Sequence, residues 1–230
     1  MRGSGEASAA KLSLTFDNGP NPGITDKVLD VLADFDVKAT FFLVGKTLEQ
    51  PGARALAERA FVEGHRLGNH SYSHGTPLGL RDDPAEAVAE IEAMFALMGE
   101  LAGDVPLFRP NGRGELGEHM LGPETLDCLI RRKASIVLWN SVPRDRMAVV
   151  DRPDVWVDDA REAVMARDWT VMVLHDRPSG FSDPAPMDYL GDFLRWARDR
   201  NFTFTGEFPR DCTPLVRGEP QDNLHLYLTR

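Results

Sequence analysis

Apolar and polar positions along the 230-residue chain alternate between two periods. Residues 11–16 place Leu12, Leu14 and Phe16 on one face, the period-two pattern of a strand. Residues 24–35 then set Ile24, Val28, Val31, Leu32 and Phe35 on one helical stripe. The run KATFFLV at 38–44 predicts a buried strand, 51–63 a helix with Pro51 in its first turn, and 66–69 a short strand before a polar loop. The clearest helix is 84–101, with Asp82 or Asp83 as N-cap and a stripe of Val88, Ile91, Phe95, Met98 and Leu101. Beyond it the pattern predicts strands at 107–109, 134–139, 169–174 and 202–204, with helices at 123–132, 153–166 and 187–200 between them. Strict alternation of strand and helix implies parallel strands covered by helices, in a single α/β domain over 11–205. Residues 1–10 are expected to be a flexible start, and 206–230, with three prolines, a tail packed on the domain.

Composition narrows the class. An apolar content of 42% excludes disordered and collagen-like chains. The length suits one α/β barrel, a fold of about 200–250 residues. A net charge of −10 argues against a partner held by its phosphates, whether nucleic acid or an anionic membrane surface. No segment approaches the roughly 20 apolar residues of a membrane span, and 1–10 lack the apolar core of a signal peptide. These features set the expectation of a cytoplasmic protein. Cys128 and Cys212 lie far apart, with no Cys or His at zinc-finger spacing, and are read as idle thiols.

The chemistry stands at the strand ends. Asp17, Asn18, Gly19 and Pro20 follow the first strand, and His70 follows the third, with His74 four residues on. Arg109 ends the fourth, Trp139 and Asn140 the fifth with Asp145 slightly later, and His175 and Asp176 follow the sixth. All strand C-termini of a parallel barrel open on one face, where active sites sit. Five segments thus deliver carboxylates, imidazoles and a guanidinium to one rim. A His-x3-His pair recurs by chance on surfaces, and Asp-Asn-Gly-Pro alone is turn chemistry. At a shared rim, His70 and His74 become candidate metal ligands on a helical turn, and Asp17 a candidate base. Arg109 would hold Asp17 ionised, and His175, with an imidazole's ordinary pKa near 6.5, would serve as an acid. Gly112 can offer a backbone N–H to an oxyanion. His65, His119 and His225 sit in or beside polar segments and are expected to face solvent.

In these residues the chain resembles the polysaccharide deacetylase family, metal-dependent hydrolases that remove acyl groups from glycans. The resemblance runs from about Lys11 to Phe204 and rests on LTFDNGP at 14–20, KATFFLVG at 38–45, GNHSYSH at 68–74 and VLHD at 173–176. It implies a distorted, incomplete parallel (β/α) barrel. It also implies one divalent ion, zinc before cobalt or nickel, held by Asn18, His70 and His74. Asp17 matches the base, Arg109 the residue that positions it, His175 the acid, and Asp145 the acidic residue of the intervening motif. Trp139, Val173 and its neighbour Leu174 match the substrate pocket. The substrate implied is an acylated amino-sugar in a polysaccharide or glycan precursor, with no nucleic acid as partner.

Two departures from the family pattern stand out. Asn18 takes the place of a second aspartate, which leaves the ion neutral ligands only and implies weaker binding. In the segment 109–113, Asn111 replaces a proline and Gly112 an aromatic residue, which implies a looser loop and altered sugar contacts. Two alternatives therefore stand beside the deacetylase: a weak or inactive barrel that binds carbohydrate, and a deformylase or small-amide hydrolase on the same fold. Oligomeric state is left open.

Overall fold

The computed structural model describes residues 9–145, 152–176 and 184–229, so most of the expected flexible start lies outside the described residues. Strands β1 (Lys11–Asp17), β2 (Thr40–Leu43), β3 (Arg66–Asn69), β4 (Leu107–Phe108), β5 (Ser135–Ile136), β6 (Trp169–His175) and β7 (Thr203–Phe204) alternate with helices. The helices are α1 (Thr25–Asp34), α2 (Gly45–Leu48), α3 (Ala53–Val62), α4 (Pro84–Met98), α5 (Pro123–Arg131), α6 (Val155–Met165) and α7 (Leu190–Asp199). The chain then adds β8 (Leu215–Val216) and β9 (Glu219–Pro220).

The sheet runs β6-β1-β2-β3-β4-β5-β8-β9, with β7 paired to the start of β1. Every pair from β6 round to β5 is parallel. A single parallel bridge from Ser141 to Met172 joins the segment after β5 to β6, so the sheet curls into an incomplete barrel. Alternation along β1 explains the layering. Leu12, Leu14 and Phe16 face the helices and share a core with Val28, Leu29 and Leu32 of α1, whereas Ser13, Thr15 and Asp17 take the other face. Phe42, Leu107 and Val137 form a separate small cluster inside the curl, with Phe208 of the tail packed on it.

Local chemistry sets the element ends. Asp83 caps α4 by accepting from the Ala85 N–H at 2.8 Å, Pro84 opens it, and Gly99 ends it at φ 55°. Three features differ from expectation. The short α2 was not anticipated, because four residues carry no periodicity. β4 and β5 pair over only two residues each. The tail extends the sheet, β8 pairing antiparallel to β5 through Leu215 and Ile136. Cys128 and Cys212 are buried free thiols. Among the described residues no helix is long and apolar enough to cross a membrane.

His65 corrects the sequence reading, being buried rather than solvent-facing. Its Nδ1 accepts from the Ala39 N–H at 3.1 Å, and the ring meets Phe41 edge-on at 5.4 Å. Burial drives its pKa down to about 4, which keeps the ring neutral. His225 is exposed as expected, and His119 is half-buried, its Nε2 3.2 Å from the Gly112 carbonyl oxygen.

Candidate active site

β1 carries Asp17 to the open end of the barrel, and Asn18-Gly19 turns the chain out again. That turn packs on the end of β6. A Cβ on Gly19 would lie 2.1 Å from Oδ2 of Asp176, so glycine alone fits. Asp176 Oδ2 accepts from Thr25 Oγ1 at 2.6 Å, and the Asp176 carbonyl accepts from Asn21 Nδ2 at 2.7 Å. Burial pushes the Asp176 carboxyl up to about 7.

Asp17 is 4% exposed. Its Oδ1 accepts from Arg109 Nη1 at 2.8 Å, and its Oδ2 lies 3.5 Å from His70 Nε2. Burial alone would raise its pKa, but the Arg109 guanidinium hydrogen-bonded to it holds it below the ordinary aspartate value. Arg109 is itself immobilised inside the barrel. Its Nη1 also donates to Thr15 Oγ1 at 2.8 Å and its Nε to the Val137 carbonyl at 2.9 Å, and the guanidinium lies 4.0 Å over the Phe42 ring. It therefore fixes the direction of the Asp17 carboxylate.

The His70–His74 segment is a loop, not the helical turn expected from its spacing, and Ser71 and His74 adopt left-handed backbone at φ 67° and 51°. The two imidazole rings still converge, with centroids 4.8 Å apart. His70 Nδ1 donates to the Arg109 carbonyl at 2.7 Å, which leaves the Nε2 lone pair facing the cleft; burial lowers its pKa and keeps it neutral. The loop hangs on α4. The Ser73 N–H and Oγ donate to the Glu90 carboxylate at 2.7 and 2.6 Å, and the His74 N–H donates to Ser71 Oγ at 3.0 Å. Sequence reasoning missed Glu90, because a polar residue on a helix ordinarily faces solvent.

Asn18, at φ 75°, completes this side of the cleft. Its Oδ1 is buried with no hydrogen-bond partner among the described residues, a state that costs roughly 1–3 kcal/mol unless something binds there. Among the described residues no three His, Cys, Asp or Glu side chains are arranged to hold a metal, since the third donor of this set is an amide. Two neutral imidazoles and an unpaired amide oxygen nevertheless fit a borderline divalent cation such as zinc, cobalt or nickel.

The opposite wall comes from β5, β6 and the loop after β4. His175 projects from β6, its Nδ1 3.0 Å from both oxygens of Asp145, and its backbone N–H donates to Asp145 Oδ2 at 2.6 Å. A carboxylate only accepts, so Nδ1 carries the proton. Trp139 and Val173 line the cleft as the resemblance implied, together with Val142, which it did not mark. Leu174 does not belong with them. One residue out of phase with Val173 and His175, it points into the helix-facing core and is fully buried. Gly112 also lines the cleft, and among the described residues its N–H donates to no acceptor. The loop bearing it is not slack: Asn111 is buried, donates to the Gly75 carbonyl at 2.7 Å and accepts from the Arg113 N–H at 3.0 Å.

An incomplete barrel thus sets a His pair and a carboxylate on one wall of its cleft, facing an Asp-supported His on the other. The chain belongs to the polysaccharide deacetylase family. Residues 4–115 match the family model described as polysaccharide deacetylase. Over 186 residues the chain is 33% identical to a chitooligosaccharide deacetylase of Bradyrhizobium sp. (strain ANU 289), covering 76% of this chain and 75% of that one. Over 180 residues it is 33% identical to a peptidoglycan-N-acetylglucosamine deacetylase of Bacillus cereus, covering 77% of this chain. It spans only 60% of that relative's length. Among solved structures, a family 4 acetyl xylan esterase from Clostridium thermocellum in complex with a cobalt ion superimposes with a TM-score of 0.65 at 27% identity, covering 84% of this chain and 86% of that one.

Proposed function

We propose that this chain is a metal-assisted hydrolase that removes the acetyl group from an N-acetylated amino-sugar in a glycan. The observation that carries the reading is the pairing of two differently prepared groups across one cleft: Asp17, held ionised by Arg109, and His175, held in one tautomer by Asp145. His70, His74 and Asn18 would hold the ion, which supplies Lewis acidity to the acyl carbonyl when bound. Asp17 takes a proton from the attacking water as it adds to the carbonyl carbon. The Gly112 N–H receives the developing oxyanion. His175, protonated at Nε2, gives its proton to the amine nitrogen as the C–N bond breaks, and Asp145 steadies the ring through the transfer. Trp139, Val142 and Val173 form an apolar wall suited to the acetyl methyl group.

The chemistry of the two curated relatives named above, one acting on chitooligosaccharides and one on peptidoglycan N-acetylglucosamine, supports a substrate built of N-acetylated sugars. Acetate release from tetra-N-acetylchitotetraose with added Co²⁺ or Zn²⁺ tests the reading. The wild type should release acetate, and Asp17→Asn should lose that activity while keeping its circular dichroism spectrum. A fully active Asp17→Asn protein would remove Asp17 from the base role. A second reading, a barrel that only binds carbohydrate, is favoured by the neutral Asn18 donor; glycan binding by the wild type without acetate release would select it.

A further inference from the structure

The loop after β4 carries a residue that the reaction does not use. The Glu115 N–H donates to the Gly112 carbonyl at 2.9 Å and closes a tight turn over 112–115. Its two central residues, Arg113 and Gly114, have φ 52° and 89°. Positive φ at both centres is the signature of the mirror-image type I′ turn, whose first central position favours Gly, Asn or Asp. An arginine there holds a strained backbone, a state that persists where the surroundings enforce it and clusters at functional sites. The surroundings do enforce it. A Cβ on Gly112 would lie 2.3 Å from the Glu115 carbonyl and 3.0 Å from the Trp139 ring, so the turn sits directly on the cleft wall. Asn111 braces the Arg113 N–H from the other side.

The turn places Arg113 on the cleft lining and open to solvent. Among the described residues that line the cleft it is the one Lys or Arg, and among the described residues no carboxylate lies within ion-pair distance of it. Arg109 offers no second cation to a ligand, because Asp17, Thr15 and backbone carbonyls consume its donors. A chain of net charge −10 repels anions at long range, so an anionic ligand must be recognised by a local cation. A guanidinium presents a planar fork that matches a carboxylate.

Resting on the deacetylase reading above, we propose that Arg113 is a specificity residue that binds a carboxylate of the glycan, making the preferred substrate an acidic N-acetylated oligosaccharide. The carboxylate can stand on the acetamido sugar itself, as in N-acetylmuramic acid, or on a neighbouring uronate. Three tetrasaccharides separate these sources: tetra-N-acetylchitotetraose, a peptide-free strand of alternating N-acetylglucosamine and N-acetylmuramic acid, and hyaluronan tetrasaccharide.

Binding is measured by calorimetry on wild type and Arg113→Gly without added metal, so that affinity is read apart from turnover. Glycine suits the backbone at 113, so this variant should fold at least as well as the wild type. One acidic glycan should bind the wild type on the order of tenfold more tightly than the neutral one, and Arg113→Gly should bring the two together. The glycan that shows the preference identifies the carboxylate. Equal wild-type affinities for all three, or a preference that survives in Arg113→Gly, would overturn the proposal. Acetate release from the same glycans by metal-loaded protein reports separately on the hydrolase reading.

Discussion

Asp145 holds His175 at two points, its carboxylate accepting from the backbone N–H at 2.6 Å and from the ring Nδ1 at 3.0 Å. The first bond fixes where the strand end lies and the second which nitrogen carries the proton. The Nε2 face is thereby left for a leaving group. Asp145→Asn keeps the size of the side chain but not the charge, and its amide can present a donor where only an acceptor serves. Acetate release should fall on the order of 10²-fold or more, with kcat taking most of the loss. Steady-state kinetics beside a thermal melt checks this; an Asp145→Asn protein within a few-fold of wild type would mean that the tautomer is set by something else.

Asn18 presents an unpaired buried oxygen to the side of the cleft that holds the two imidazoles. Replacing it with aspartate adds one negative charge at the same reach. Asn18→Asp should tighten Co²⁺ or Zn²⁺ binding by on the order of tenfold or more, since charge count among oxygen donors is a principal control of cation affinity. Calorimetric titration with each metal reads it directly. Unchanged affinity would remove Asn18 from the ligand set and leave its orphan oxygen without a role.

Asp176 couples stability to pH. An aspartate in the unfolded chain titrates near 3.8, while burial raises the folded group to about 7. Between those values the folded protein keeps a proton that the unfolded chain has released. Stability from this group is therefore full below about pH 4 and declines as pH rises towards 7, by up to about 1.4 kcal/mol per pH unit. Asp176→Asn cannot ionise, so its stability relative to wild type should climb from pH 4.5 to 7 and level off above. Urea midpoints of both proteins at pH 4.5, 6, 7 and 8 test this, and parallel profiles would contradict the assignment.

Much of the architecture was legible in the sequence because it rests on local periodicity. The outward triad Leu12, Leu14 and Phe16 and the α4 stripe of Ile91, Phe95 and Met98 behave as their spacing predicts. The strand-end rule brought Asp17, His70, His74, Arg109 and His175 to one end of the barrel for the same reason. What escaped depends on contacts between distant segments. Glu90 looks like a solvated helix residue until the loop from β3 folds onto it. His65 follows Glu63-Gly64 and looks exposed, yet the turn out of α3 drives it under β2 to meet Ala39. Leu174 was a misjudged phase, since strand alternation alone already separates it from Val173 and His175. The departure at Asn111 pointed to a slack loop, but hydrogen bonds in both directions make it a brace, visible only once Gly75 and Arg113 are placed beside it.

β1 and β6 pair over seven successive residues, from Lys11 with Trp169 to Asp17 with His175. The base and the acid of the proposed reaction are thus the last rung of one ladder, and the spacing of their backbones follows from the strand separation of about 4.8 Å. Reactivity and selectivity are consequently written in different materials. The distance between the two proton-handling groups is a property of main-chain pairing, largely insulated from what happens around the rim. Arg113, outside that ladder and exposed on its turn, could change in sequence and alter the proposed glycan preference without disturbing the pair that would cleave it.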